Sequence, residues 1–127
     1  MKNKIIITRG FYKDITDIPH FSIQVNYEGC LIEHDDIYFG NLDEISCQLD
    51  NFEKTRKNEV IIDGGSRFKL TILPNNTGGI KLKCNSEKFN LPGRVILESY
   101  FNIDGEFVSI FINSFKELLT NGKELNI

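Results

Sequence analysis

The stretch FSIQVNYEGCLIEHDDIYFGNLDEISCQLDNFEKTRK, residues 21–57, changes its hydrophobic period part-way along, and that change decides the fold. In FSIQVNY, Phe21, Ile23, Val25 and Tyr27 alternate with Ser22, Gln24 and Asn26, the pattern of a half-buried strand. Glu28-Gly29 supplies a tight turn into a second strand near residues 30–33, so a hairpin is expected. His34-Asp35-Asp36 reads as a loop before a short apolar stretch at residues 37–39. The period then becomes 3.6: Leu42, Ile45, Leu49 and Phe52 recur at three- and four-residue steps and predict an amphipathic helix over about residues 42–56. Asn41 stands at its N-cap and Glu44 where a capping-box acid belongs. Asp43 and Glu44 in the first turn, with Lys54, Arg56 and Lys57 near the end, complement the helix dipole.

Upstream, residues 3–9 predict a first strand ending at Gly10. Downstream, residues 60–62 lead into the turn Asp63-Gly64-Gly65, after which Phe68, Leu70 and Ile72 alternate with Arg67, Lys69 and Thr71. Beyond the loop at residues 74–79, Ile80, Leu82 and Cys84 alternate with Lys81 and Lys83. Pro92-Gly93 precedes the longest strand, with Val95, Leu97, Ser99, Phe101 and Ile103 on one face. Asp104-Gly105 opens a second helix over about residues 105–120, which Asn121-Gly122 closes. Short turns between alternating strands demand antiparallel pairing, and no βαβ rhythm is present. The expected fold is α+β in a single domain over residues 1–127: a curved antiparallel sheet or open barrel of about six to seven strands, covered by two helices.

Length and composition agree. A chain of 127 residues and 14.6 kDa buries about two-thirds of its extended surface on folding, so it needs no disulfide or metal to form a core. Hydrophobic residues at 40% and charged residues at 26% are ordinary for a soluble globular domain. No apolar run approaches the roughly 20 residues that span a bilayer, so no membrane association is expected. The N-terminus, with Lys2 and Lys4, lacks a signal-peptide core, and a cytoplasmic location is expected. Cys30, Cys47 and Cys84 are odd in number and widely spaced, which predicts reduced thiols.

Catalytic and cofactor motifs are missing. The glycine pairs in Asp63-Gly64-Gly65-Ser66 and Thr77-Gly78-Gly79 connect strands, whereas a phosphate loop leads from a strand into a helix. There is no zinc-ligand spacing, and four consecutive residues such as Glu33, His34, Asp35 and Asp36 point in different directions and do not converge on one metal ion. Asp14, Asp17 and Glu28 offer carboxylate pairs of the kind any acidic chain contains. The residues therefore predict no enzyme, no catalytic residue, no metal and no cofactor.

Charge is segregated. Residues 1–13 carry a net +4, residues 14–53 carry ten acids without one Lys or Arg, and residues 54–94 carry a net +6. Helix-end preferences and cross-strand pairing account for part of this. The remainder predicts a surface that steers a basic partner, with Asp35 and Asp36 as the leading contacts and Glu33 and Asp50 next. Nucleic acid is not expected, because the pI is near 5.4 and no aromatic residues interleave with the lysines.

Tyr38-Phe39-Gly40-Asn41-Leu42, the helix through Phe52, Phe68-Lys69-Leu70, Gly79-Ile80-Lys81-Leu82 and Phe101-Asn102-Ile103-Asp104 running into Phe107 and Phe115 together carry a resemblance. Over residues 21–120, in element order and apolar spacing, the chain resembles the WapI-like immunity proteins of bacterial polymorphic toxin systems. The resemblance implies a cytosolic, non-catalytic protein that neutralises a cognate toxin, and it nominates no residue. Two other classes stand beside it. One is a small-molecule binding module lined by Tyr12, Tyr38 or Tyr100. The other is a structural subunit, by default a homodimer formed through an apolar sheet edge or face.

Overall fold

The hairpin between Phe21 and Ile37 forms around Glu28 and Gly29, whose φ angles of 50° and 81° both lie in the left-handed region. Two positive φ values in a two-residue loop make the turn whose twist matches that of the flanking strands. The computed structural model describes residues 2–10, 19–90 and 93–127. Over these, the chain forms β1 (Lys4–Arg9), β2 (Phe21–Tyr27), β3 (Cys30–Ile37), α1 (Leu42–Thr55), β4 (Val60–Asp63), β5 (Phe68–Pro74), β6 (Ile80–Asn90), β7 (Gly93–Ile103), a 3-10 turn (Gly105–Phe107), α2 (Val108–Asn121) and β8 (Leu125–Asn126).

The fold is α+β with two helices and antiparallel strands, but the strands form two sheets and no closed barrel. Their orders are β3-β2-β1-β8 and β4-β5-β6-β7. This corrects the expectation of one curved sheet or open barrel with six to seven strands. The eighth strand is the two-residue β8, which pairs Leu125 with Ile7 and Asn126 with Ile6 and so ties the end of the chain to the first strand. A segment of that length carries no periodicity to read.

One buried cluster draws on both sheets and both helices, including Ile5, Phe21, Leu49, Phe52, Leu70, Leu82, Ile112 and Phe115. Helix α1 forms as its stripe predicts: Ile45, Leu49 and Phe52 are buried, and Asn41 Oδ1 accepts from the Glu44 amide at 3.1 Å. Its end at Arg56 adopts a left-handed φ of 50°. Helix α2 begins later than expected. Asp104 precedes the 3-10 turn without a side-chain capping bond, and α2 starts at Val108. Its closure at Gly122, with φ 73°, matches the sequence reading.

Aromatic rings join the sheets at two places. Phe21 stacks on Phe39 at 4.6 Å, Phe39 meets Phe68 at 6.1 Å, and His34 lies edge-on to Phe68 at 6.4 Å. Elsewhere Tyr27 of β2 meets Phe101 of β7 at 5.7 Å.

A candidate partner-binding ridge

His34, Asp35 and Asp36 do not form a loop between strands; they belong to β3 and contain a bulge. Phe21 pairs with Ile37 and Ile23 pairs with His34, so three steps on β3 oppose two on β2. The extra residue changes which positions face the core. Before it Ile32 and His34 are buried; after it Ile37 and Phe39 are. Without the bulge, the alternation that buries Ile32 would turn Ile37 and Phe39 to solvent. Asp36 adopts a φ of 57°, a conformation that Asp tolerates better than most residues.

Glu33 and Asp35 consequently project together from the exposed face of β3, beside β2. Ser22 Oγ donates to Asp35 at 3.1 Å and Gln24 Nε2 donates to Glu33 at 3.3 Å. Both donors are neutral. Among the described residues, no Lys or Arg forms an ion pair with either carboxylate. Arg67 is close, but its guanidinium donates to the main-chain carbonyls of Asp35 and Asp36 at 3.1 and 3.0 Å. It secures the bulge and leaves the carboxylates free to face solvent. Asp36 stands 3.9 Å from His20 Nε2.

The strand forms a ridge between two clefts. One, of about 580 Å³, runs from Glu33, Asp35 and Asp36 across to Arg67, Lys88 and Phe89. The other, of about 250 Å³, lies over the outer face of the first sheet and joins Glu33 and Asp35 to Glu124. Glu124 comes from the segment that β8 anchors to β1, and sequence reading missed it, as it missed Lys88 and Phe89. Nothing in the local sequence around them signals that neighbourhood.

Asp50 belongs elsewhere. It sits on α1 and accepts from Lys116 Nζ of α2 at 2.6 Å, a bond that raises the lysine's pKa and keeps it charged. The structure thus brings three of the four expected acids together and separates the fourth. Of the tyrosines considered for a ligand site, Tyr38 and Tyr100 are exposed, and Tyr100 donates its hydroxyl to Glu98. Tyr12, Asp14 and Asp17 lie outside the described residues.

His34 is 5% exposed, and its Nε2 is buried with no hydrogen-bond partner among the described residues. Burial lowers its pKa, the positive charges of Arg67 and Lys88 lower it further, and Asp35 partly opposes them. It therefore favours the neutral imidazole. Burial likewise raises the pKa of Cys84, disfavouring its nucleophilic thiolate. All three cysteines are free thiols, with Cys30 half-buried and Cys47 exposed. Among the described residues, no cluster of three or more His, Cys, Asp or Glu is placed to hold a metal ion, and no helix is long and apolar enough to cross a membrane. No protein-family model, curated protein or solved structure matches the chain.

Proposed function

We propose that this chain is a non-catalytic, cytoplasmic protein-binding domain that captures a basic protein, as an immunity-type inhibitor of a cognate bacterial toxin does. The observation carrying the proposal is the pair Glu33 and Asp35, which share one exposed face and are hydrogen-bonded by neutral side chains alone. Exposed carboxylates without an ion-pair partner raise the local concentration of a basic partner and speed encounter. Asp36 and Glu124 extend that charge into the flanking clefts. The resemblance to WapI-like immunity proteins points to the same class.

The test is a pull-down with the whole chain as bait, followed by association kinetics with the captured protein at two salt concentrations. The double substitution Glu33→Gln and Asp35→Asn should slow association about threefold to tenfold at low salt and flatten its salt dependence. Asp50→Asn should change both less, because that carboxylate sits on α1 in a pair with Lys116 and lines neither cleft beside the ridge. An unaltered rate and salt slope in the double variant would reduce the ridge to a solvated face.

One observation favours a small-molecule role as a second reading. A groove of about 400 Å³ runs between the end of β7, α2 and β8, with Phe101, Phe107, Ile110 and Leu125 in its lining. Phe107 and Ile110 are 50% and 61% exposed. Saturable binding of an apolar fluorophore, abolished by Ile110→Glu, would move the assignment there.

A further inference from the structure

Four strand edges bound the two sheets, and three of them are protected against pairing with another strand. Strand β8 is two residues long and β4 is four, while β3 is bent by its bulge and carries Glu33 and Asp35. Short length, bulges and edge charges are the usual devices that keep edges apart. The fourth edge, β7, has a different design. It is eleven residues long, pairs with β6 without a break from Gly93 to Ile103, and has no strand on its other side among the described residues. Its first half holds Val95-Ile96-Leu97, with Val95 38% and Ile96 60% exposed.

From this edge we infer that two copies of the chain associate through β7, strand against strand about a two-fold axis centred on Ile96. Antiparallel pairing of the two edges joins the second sheets into one of eight strands. A two-fold axis normal to the sheet keeps each face on its own side, so only residues on the same face come opposite one another. With the axis at Ile96, Arg94 lies opposite Glu98 of the second copy, Ile96 opposite Ile96, and Val95 opposite Leu97. Neighbouring registers fail this match. An axis at Leu97 sets Ile96 against Glu98, one at Val95 sets Arg94 against Ile96, and one at Glu98 sets that acid against itself. Cross-strand pairs of opposite charge or of apolar side chains stabilise a ladder, and like charges directly opposite destabilise it.

The charged groups remain available for this. Arg94 pairs with Glu87 at 3.3 Å and Glu98 with Lys83 at 3.0 Å, but their side chains are 52% and 48% exposed. Phe89, paired with Arg94 across the hairpin and 73% exposed, extends the apolar surface behind the contact. The other end of β7 is closed off: Phe101, Asn102 and Ile103 face α2 and β8 across the apolar groove. The available edge therefore runs over residues 93–99, and Phe89 connects it to the cleft beside the acidic ridge.

The experiment is sedimentation equilibrium of the full chain from about 1 μM to 1 mM, a range chosen for a small interface. The wild type should show a concentration-dependent dimer. Ile96→Lys places two ammonium groups opposite each other and should raise the dimer dissociation constant at least about tenfold with an unchanged circular dichroism spectrum. Ile61→Lys, on the short edge β4, should leave the dimer intact. A wild type that stays monomeric throughout, or a dimer that Ile96→Lys leaves as tight, overturns the inference; so does equal loss in Ile61→Lys. A second measurement needs no variant. Amide exchange at residues 93–98 should slow as wild-type concentration rises, and concentration-independent exchange there also overturns it.

Discussion

The two sheets have equal strand numbers and the same antiparallel pairing, yet their long outer edges are finished in opposite ways. On β3, one extra residue bends the strand, two acids line its exposed face, and Arg67 occupies the carbonyls of the bulge. On β7, pairing runs unbroken and the exposed positions include Val95 and Ile96. Both edges belong to antiparallel ladders, and of the two only that of β3 is interrupted by a bulge. The difference comes from one inserted residue and a few side chains, which make one edge a charged ridge and leave the other able to accept a strand. One chain thereby presents two long edges of opposite finish.

The strongest way to break the comparison is to cut the aromatic joint beside β3 with Phe68→Ala, read by urea unfolding. That ring is 1% exposed and contacts both His34 and Phe39, so its truncation should cost about 3–5 kcal/mol. A loss below about 1 kcal/mol would show that the aromatic joint does not hold the sheets together.

Helix α1 tests the part of the fold that depends on neither edge. Asn41→Ala removes the cap on the Glu44 amide and should cost about 1 kcal/mol, with no effect on association by either surface. A smaller effect is expected from pH. His34 titrates below its ordinary value of 6.5 when folded and near it when unfolded, so the unfolded chain takes up the proton first. Stability from the neutral imidazole is present above pH 6.5 and is lost as the pH falls from there toward the folded-state value. Urea midpoints should therefore drop below that pH in the wild type, and His34→Leu should flatten the slope. An identical slope in the variant would place the titration elsewhere.

Local elements were legible because their cues lie within a few residues of one another. Glu28-Gly29 set the hairpin turn, Asn41 with Leu42, Ile45, Leu49 and Phe52 set α1, and Asn121-Gly122 set the end of α2. The acidity of residues 33–36 was equally plain. Its arrangement was not, since two consecutive Asp residues suit a loop as well as a bulge, and only pairing with Phe21 and Ile23 distinguishes them.

By itself, then, the sequence determined the α+β class, both helices, most strands and the segregation of charge, because each is written in short-range periodicity and composition. Tertiary structure decided the division into two sheets, the return of β8 to β1, the approach of Glu124 to Glu33 and Asp35, and the withdrawal of Asp50 into a pair with Lys116. Each of these joins residues far apart in the chain. Such contacts are selected by burying a common core and closing hydrogen-bond ladders across it, and no local pattern records which distant partner satisfies both.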